Sequence, residues 1–240
     1  MSKLKAVIIG AGRIGVEFDQ CHAQAFKDCK DTELVGIIDI DIEKAKRAAK
    51  KWDIPLVSSG LGLGNAVGYA DIYSICTPPE THLNVLGDVL FYNPKAILCE
   101  KPIATTLEDA DKMIRLCKLQ GIILQVNHQR RWGMPTFRYS RGILNTMTHG
   151  FDLLRMYFGE VDRIEKDIVC FKSGMKVRIE NVPVQEETIF EFKTDTTGTF
   201  LKGVEHLVEC IKEGKQSISS GESAREDLRL CLELMNGERK

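Results

Sequence analysis

The sequence predicts an α/β protein, a Rossmann-type doubly wound parallel sheet joined to a smaller α/β domain with an open antiparallel sheet. Three observations predict it. An apolar run ends in Gly10-x-Gly12-x-x-Gly15 and leads into a helical pattern. Apolar runs and helical patterns then alternate as far as Val126. Beyond Val126 the alternation gives way to segments with partial period-two patterning. Continuous apolar runs mark strands covered on both faces, and repeated βα units imply right-handed crossovers.

Strands read Lys5–Ile9, Leu34–Asp39, Ile72–Cys76, Ala96–Glu100 and Ile122–Val126. One helix follows Gly12. A second runs through Glu43–Lys51 with Asp41 as its cap, and a third covers Thr81–Leu90 and stops before Asn93-Pro94. A fourth spans Leu107–Leu119, with Thr105-x-x-Glu108 as a capping box and Gly121 as its stop. The glycine-rich stretch Ser58–Gly68 reads as a surface loop.

After an Arg-rich segment, Asn127–Arg141, comes a short amphipathic helix, His149–Phe158, closed by Gly159. Segments Arg163–Phe171, Met175–Val182 and Val184–Lys193 alternate in part, with Gly174 and Pro183 at the turns. Helices at about Leu201–Glu213 and Ser223–Met235 close the chain. The expected division is residues 1–126, a dinucleotide-binding domain, and residues 127–240, a shortened substrate-binding and oligomerisation domain whose last helices can pack back on the first.

The chain has 240 residues, 43% of them hydrophobic, and a net charge of −1. Such a balance gives no global field toward nucleic acid or an anionic membrane, and neither is expected as a partner. Gly10 cuts the first apolar run far below spanning length, and nothing there reads as a signal peptide. The eight cysteines form no CxxC pair. They read as reduced core thiols of a cytoplasmic protein, with no metal site.

The chemistry starts at the glycine turn. Gly10 permits a tight turn, Gly12 close approach of the backbone to a pyrophosphate, and Gly15 close helix packing. Arg13 and Ile14 lie within the turn, and Arg13 can reach a phosphate. Asp39 ends the second strand, where a carboxylate accepts from both adenosine ribose hydroxyls and repels a 2′-phosphate, so NAD is favoured over NADP; the bland alternative is a turn-starting aspartate. Cys76-Thr77-Pro78-Pro79-Glu80-Thr81-His82 reads either as a rigid wall beside a nicotinamide, through Thr77, Pro78 and His82, or as a strand-ending turn. Glu100-Lys101-Pro102 puts a carboxylate and an amine at the same sheet edge. A desolvated Lys101 near a cationic ring can serve in proton transfer; the alternative is a solvated pair. Pro102 can be cis.

Together, GAGRIG at 10–15, Asp39, CTPPETH at 76–82, CEKPIATT at 99–106, NHQRRW at 127–132 and HGFDLLRMYFG at 149–159 resemble the Gfo/Idh/MocA family of sugar and polyol oxidoreductases. The resemblance implies hydride transfer between NAD(P) and a carbinol carbon of a sugar, sugar nucleotide or polyol. It implies that Lys101 binds and polarises the reacting hydroxyl, with Glu100 beside it, and that His149 is the general acid/base. Asn127, Arg130, Arg131 and Trp132 would line the entrance or position substrate. It also implies a homo-oligomer, dimer or tetramer, paired through the open sheet. Many members carry an acid four positions before the histidine, where this chain has Asn145. The stretch from Met134 to Ile143 lacks a strand signal, so the expectation is that part of the second domain is lost or omitted there. Two other readings fit the same residues: a non-catalytic NAD sensor or partner-binding module, and a reductase of a non-sugar carbonyl or imine.

Overall fold

Six parallel strands line up in the order β3-β2-β1-β4-β5-β6 in the computed structural model, which describes residues 2–60, 69–132, 143–165, 168–174, 176–178 and 198–237. They are β1 (Leu4–Ile9), β2 (Thr32–Ile38), β3 (Leu56–Ser58), β4 (Ile72–Ile75), β5 (Ala96–Cys99) and β6 (Ile123–Val126). This is the nucleotide-binding strand order, with the reversal point between β1 and β4. β4, β5 and β6 are buried at every residue, which is why the sequence shows unbroken apolar runs there. β3 has no such signal, because three half-buried residues after Pro55 are too short for a pattern.

Alternation along β1 splits the core. Ala6 and Ile8 face one layer with Phe26 and Leu207. Val7 and Ile9 face the other with Leu86, Met113 and Leu228. Each fully buried aliphatic side chain contributes about 1.5–3 kcal/mol. The covering helices are α1 (His22–Asp28), α2 (Ile42–Trp52), α3 (His82–Leu90) and α4 (Leu107–Gln120). Asp41 caps α2 as expected, accepting from the Glu43 and Lys44 amides. The cap of α4 falls one residue beyond the expected Thr105: the Thr106 hydroxyl accepts from the Asp109 amide at 3.1 Å.

The helix expected directly after Gly12 is instead a five-residue π-helical turn, Arg13–Glu17, and α1 begins only at His22. Partners outside the turn hold it open. The Trp52 indole N–H donates to the Val16 carbonyl at 2.8 Å, and Lys51 Nζ donates to the same oxygen at 3.0 Å. A carbonyl bound from α2 is not taken by an i+4 amide, so the helix stops there instead of running on into α1.

The second half holds α5 (Ile143–Phe158), the antiparallel sheet of β7 (Val161–Glu165), β8 (Ile168–Phe171) and β9 (Lys176–Arg178), then α6 (Thr199–Glu213) and α7 (Gly221–Gly237). The single segment expected over Arg163–Phe171 is two strands of a hairpin, and Gly174 turns β8 into β9 with φ +86°. The segment Val184–Lys193 and most of Ser58–Gly68 lie outside the described residues. α6 packs on α1, and α7 on α4 and α5. The segment before α7 runs along β6: the Val126 amide donates to the Ser219 carbonyl at 2.8 Å, and the Ser219 hydroxyl to the Val126 carbonyl at 2.7 Å. All eight cysteines are buried and unpaired. No helix of the described residues is long and apolar enough to cross a membrane.

Gly10 has φ +103°, and a Cβ there would meet the Cys76 carbonyl oxygen at 2.7 Å. Gly10→Ala is therefore expected to cost about 1–3 kcal/mol in urea unfolding. An unchanged midpoint would refute the turn geometry.

Candidate active site

The carboxyl ends of β1, β2, β4, β5 and β6 deliver the candidate residues to one edge of the sheet. β1 ends in the glycine turn. A Cβ on Gly15 would run into the Gly10 carbonyl, whereas one on Gly12 would meet nothing within 4 Å. The turn is closed beneath and open above at Gly12, as a backbone that approaches a diphosphate requires. Asp39, just past β2, accepts from the Ala11 amide at 2.7 Å through Oδ2 and from the Asp41 amide at 2.9 Å through Oδ1. It thus ties the glycine turn to the next strand end. Ile40, which the sequence reading passed over, stands beside it 94% exposed. Arg13 lays its guanidinium over the Phe18 ring, 4.7 Å from the centroid, and Ile14 packs half-buried against the core.

After β4, the Thr77–His82 turn is fastened from within. Thr81 Oγ1 donates to Thr77 Oγ1 at 2.8 Å, and Pro78 leads into a single 3-10 turn. His82 is fully buried, with its ring nitrogens 2.8 Å from the Thr77 carbonyl and 3.1 Å from the Ile103 carbonyl. It joins this turn to the segment after the cis Lys101-Pro102 bond. Its contacts are all with the protein interior.

Glu100, Asn127, Arg131 and Trp132 also turn inward. Glu100 Oε1 lies 2.7 Å from His22 Nε2 and accepts from Asn127 Nδ2 at 2.5 Å; its Oε2 accepts from the Lys101 amide at 3.2 Å. Ser74 Oγ lies 2.7 Å from His22 Nδ1, and Phe200 meets the imidazole edge-on at 5.3 Å. Burial alone lowers the His22 pKa, but the neighbouring Cys76 sulfur and Glu100 carboxylate outweigh it and raise the value to about 10. Burial alone raises the Glu100 pKa, and the His22 hydrogen bond more than reverses this. The result is an imidazolium–carboxylate pair sealed under the site. Arg131 binds both Asp152 oxygens, the Ile218 carbonyl and the Ser223 hydroxyl. Trp132 packs against His206, 4.8 Å between rings. The polar groups of Glu100, Asn127 and Arg131 are thus engaged within the protein.

Three groups lie in one electrostatic environment. Lys101 is held below its ordinary pKa, chiefly by burial and then by Arg130, against the pull of Glu100. His149 is buried and pushed well below 6.5, first by burial, then by Lys101, His128 and Arg130. Arg130 is itself lowered by burial. At neutral pH His149 is an uncharged imidazole beside two cations. Asn145 lies in α5, but its side chain is outside the described residues.

A dinucleotide-binding Rossmann domain is the class this strand order and glycine turn define. The family described as oxidoreductases with an NAD-binding Rossmann fold, GFO/IDH/MocA, has a model that matches residues 4–128. The chain belongs to that family, and NAD is the cofactor of its first domain. It is 31% identical over 135 residues to a D-apiose dehydrogenase of Rhizobium rhizogenes, covering 56% of this chain and 38% of the relative. It is 27% identical over 144 residues to the D-glucoside 3-dehydrogenase of Escherichia coli, covering 60% and 40%. The chain thus matches about two-fifths of the length of these relatives. The crystal structure of an Agrobacterium radiobacter oxidoreductase in complex with NAD+, L-tartaric acid and magnesium superposes with a TM-score of 0.78 at 16% identity, over 100% of this chain and 97% of that one. At that identity the likeness is one of fold.

His22 stabilises the fold fully below its ordinary pKa of 6.5 and progressively less as pH rises toward 10. Glu100 contributes above 4.5 and loses its contribution as pH falls below that. The wild-type urea midpoint is expected to decline from pH 6.5 to 10. His22→Phe, which strands a buried carboxylate, should cost about 3–5 kcal/mol near pH 6 and flatten that decline. A variant with the wild-type profile would remove the ion pair from the account.

Proposed function

We propose that the protein transfers hydride between NAD and a carbinol carbon of a sugar, sugar nucleotide or polyol. The shared electrostatic environment of Lys101 just past β5, Arg130 just past β6 and a neutral, buried His149 of α5 carries this reading. The backbone around Gly12 would hold the diphosphate, Asp39 the adenosine ribose, and Ile40 would give the adenine an apolar platform. Bound NAD would supply a nicotinamide C4 that takes or returns hydride. Lys101 would donate to the substrate oxygen and stabilise the negative charge that develops there. His149, uncharged at neutral pH, would take the hydroxyl proton in oxidation and return it in reduction. The inward-turned Glu100 would keep the site floor dry and fix the chain from which Lys101 extends.

The relatives' printed names, a D-apiose dehydrogenase and a D-glucoside 3-dehydrogenase, support the substrate class. Asp39 supports NAD over NADP, since its carboxylate repels a 2′-phosphate. We also infer a domain division near residue 126, a cytoplasmic setting supported by eight unpaired thiols, and self-association by resemblance to the family.

Lys101→Ala is expected to lower kcat by about 10²–10³-fold in a sugar and polyol panel while NADH affinity, read by fluorescence titration, stays within a few-fold of wild type. Undiminished turnover would strip Lys101 of its role. Gly12→Ala should leave the urea midpoint unchanged and weaken NADH binding at least tenfold, about 1.4 kcal/mol. Asp39→Ser should weaken NADH and erode the preference over NADPH; tighter wild-type binding of NADPH would sink the ribose assignment.

A further inference from the structure

Five buried side-chain polar atoms among the described residues have no hydrogen-bond partner, and four of them sit in one place: His128 Nδ1 and Nε2, His149 Nδ1 and Asp227 Oδ2. Buried polar groups are nearly always paired, so such a concentration calls for an explanation. His128 is 1% exposed and Asp227 0%. His128 Nδ1 faces two carboxylates, Asp152 Oδ1 at 3.2 Å and Asp227 Oδ2 at 3.6 Å. The His128 and His149 rings meet edge-on, 5.7 Å between centroids and 69° between planes. As the rings stand no hydrogen bond joins them, and His128 Nε2 and His149 Nδ1 are both left unpartnered.

We propose that His149 is the outer end of a buried proton line, with His128 as the positioning residue behind it and Asp152 and Asp227 as its anionic terminus. A single arrangement then satisfies all four orphaned atoms. The two carboxylates hold the His128 Nδ1–H, His128 Nε2 accepts from the His149 Nδ1–H, and His149 Nε2 is left as the lone pair for the substrate. The inference rests on His149 being the acid/base. In oxidation the substrate O–H bond breaks as the His149 Nε2–H bond forms. The His149 Nδ1–H bond then breaks as the His128 Nε2–H bond forms, and NAD takes the hydride. The positive charge comes to rest on His128, between two aspartates, rather than on His149 beside Lys101 and Arg130.

The surrounding charges favour that resting place. Arg131 pairs with Asp152, and Arg155 with Asp227 and Glu160. Three carboxylates thus stand against two guanidiniums, so the cluster has room for one proton, for which His128 and Asp227 compete. Burial, with the nearby Asp152 charge, pushes the Asp227 pKa up to about 7 despite His128 and Arg155. His128, Asp152 and Asp227 also place ligand atoms within 4.8 Å of one another, as a metal site would. A divalent ion there would overshoot neutrality, since both aspartates already carry an arginine.

The test is nitrogen NMR of the histidine-labelled chain saturated with NADH, in which five imidazoles are assigned by single substitutions. In wild type, His149 should be the Nδ1–H tautomer, with a hydrogen-bond coupling from its Nδ1–H to His128 Nε2. Asp227→Asn should move the His128 nitrogen signals and carry those of His149 with them. His128→Gln should release His149 into a mixture of tautomers. A wild-type His149 that is the Nε2–H tautomer, or is indifferent to His128, overturns the line whether or not either variant folds. Sugar turnover that survives loss of His149, with the coupled signals intact, would instead refute the catalytic reading and leave the line standing.

Discussion

The His22–Glu100 pair is the constraint on which the rest of the molecule depends. It places an imidazolium and a carboxylate where neither meets water. Desolvation of two charges costs several kcal/mol apiece, and such a pair survives only when its other lone pairs and protons are also satisfied. Here Ser74, Asn127 and the Lys101 amide supply those partners. They come from the ends of three adjacent strands, and His22 comes from the first helix after the glycine turn. Shifting any of these elements by a residue would strand a charge. The geometry at the candidate site is therefore set from below, by a buried ion pair.

A second ionic cluster does comparable work in the other half. Arg131 and Arg155 grip Asp152 and Asp227, so the turn after β6, helix α5 and helix α7 are joined by forked hydrogen bonds. Guanidinium suits this role because its fixed donors reach several acceptors at once. Asp152 is held well below the usual carboxylate range, while burial and its neighbour push Asp227 the other way. Two aspartates in one pocket with opposed proton affinities are a source of acid–base function as well as of cohesion.

Much of this was legible in the residues, and the exceptions share a cause. Five strands of the parallel sheet showed as apolar runs because both faces are covered, and the glycine turn showed because its φ and close contacts admit little else. Lys101 and His149 stood out through their motifs. His22 did not, since Ser74, Glu100 and Asn127 lie 52, 78 and 105 positions away. A charged residue is by default assigned to solvent, so a solvated pair stayed open as the alternative for Glu100 and Lys101. Only the tertiary pairing reverses that. His128, Asp152 and Asp227 were missed for the same reason, although the first two lie inside motifs the reading had singled out. The late start of α1 was hidden because the Val16 and Glu17 carbonyls that end the preceding turn are bound from α2.

The strap of Ser217–Ser220 along β6 has a consequence for how copies of this chain can meet. It occupies the backbone groups of Val126 on that border and, through Ser217 and Gly203, both ends of the buried Gln125 amide. A free strand border is a template on which further chains can stack by amide-to-carbonyl ladders. That route is shut on the β6 side, and on the far side β3 offers only three residues. The nucleotide-binding sheet is thus guarded against growing into neighbouring molecules.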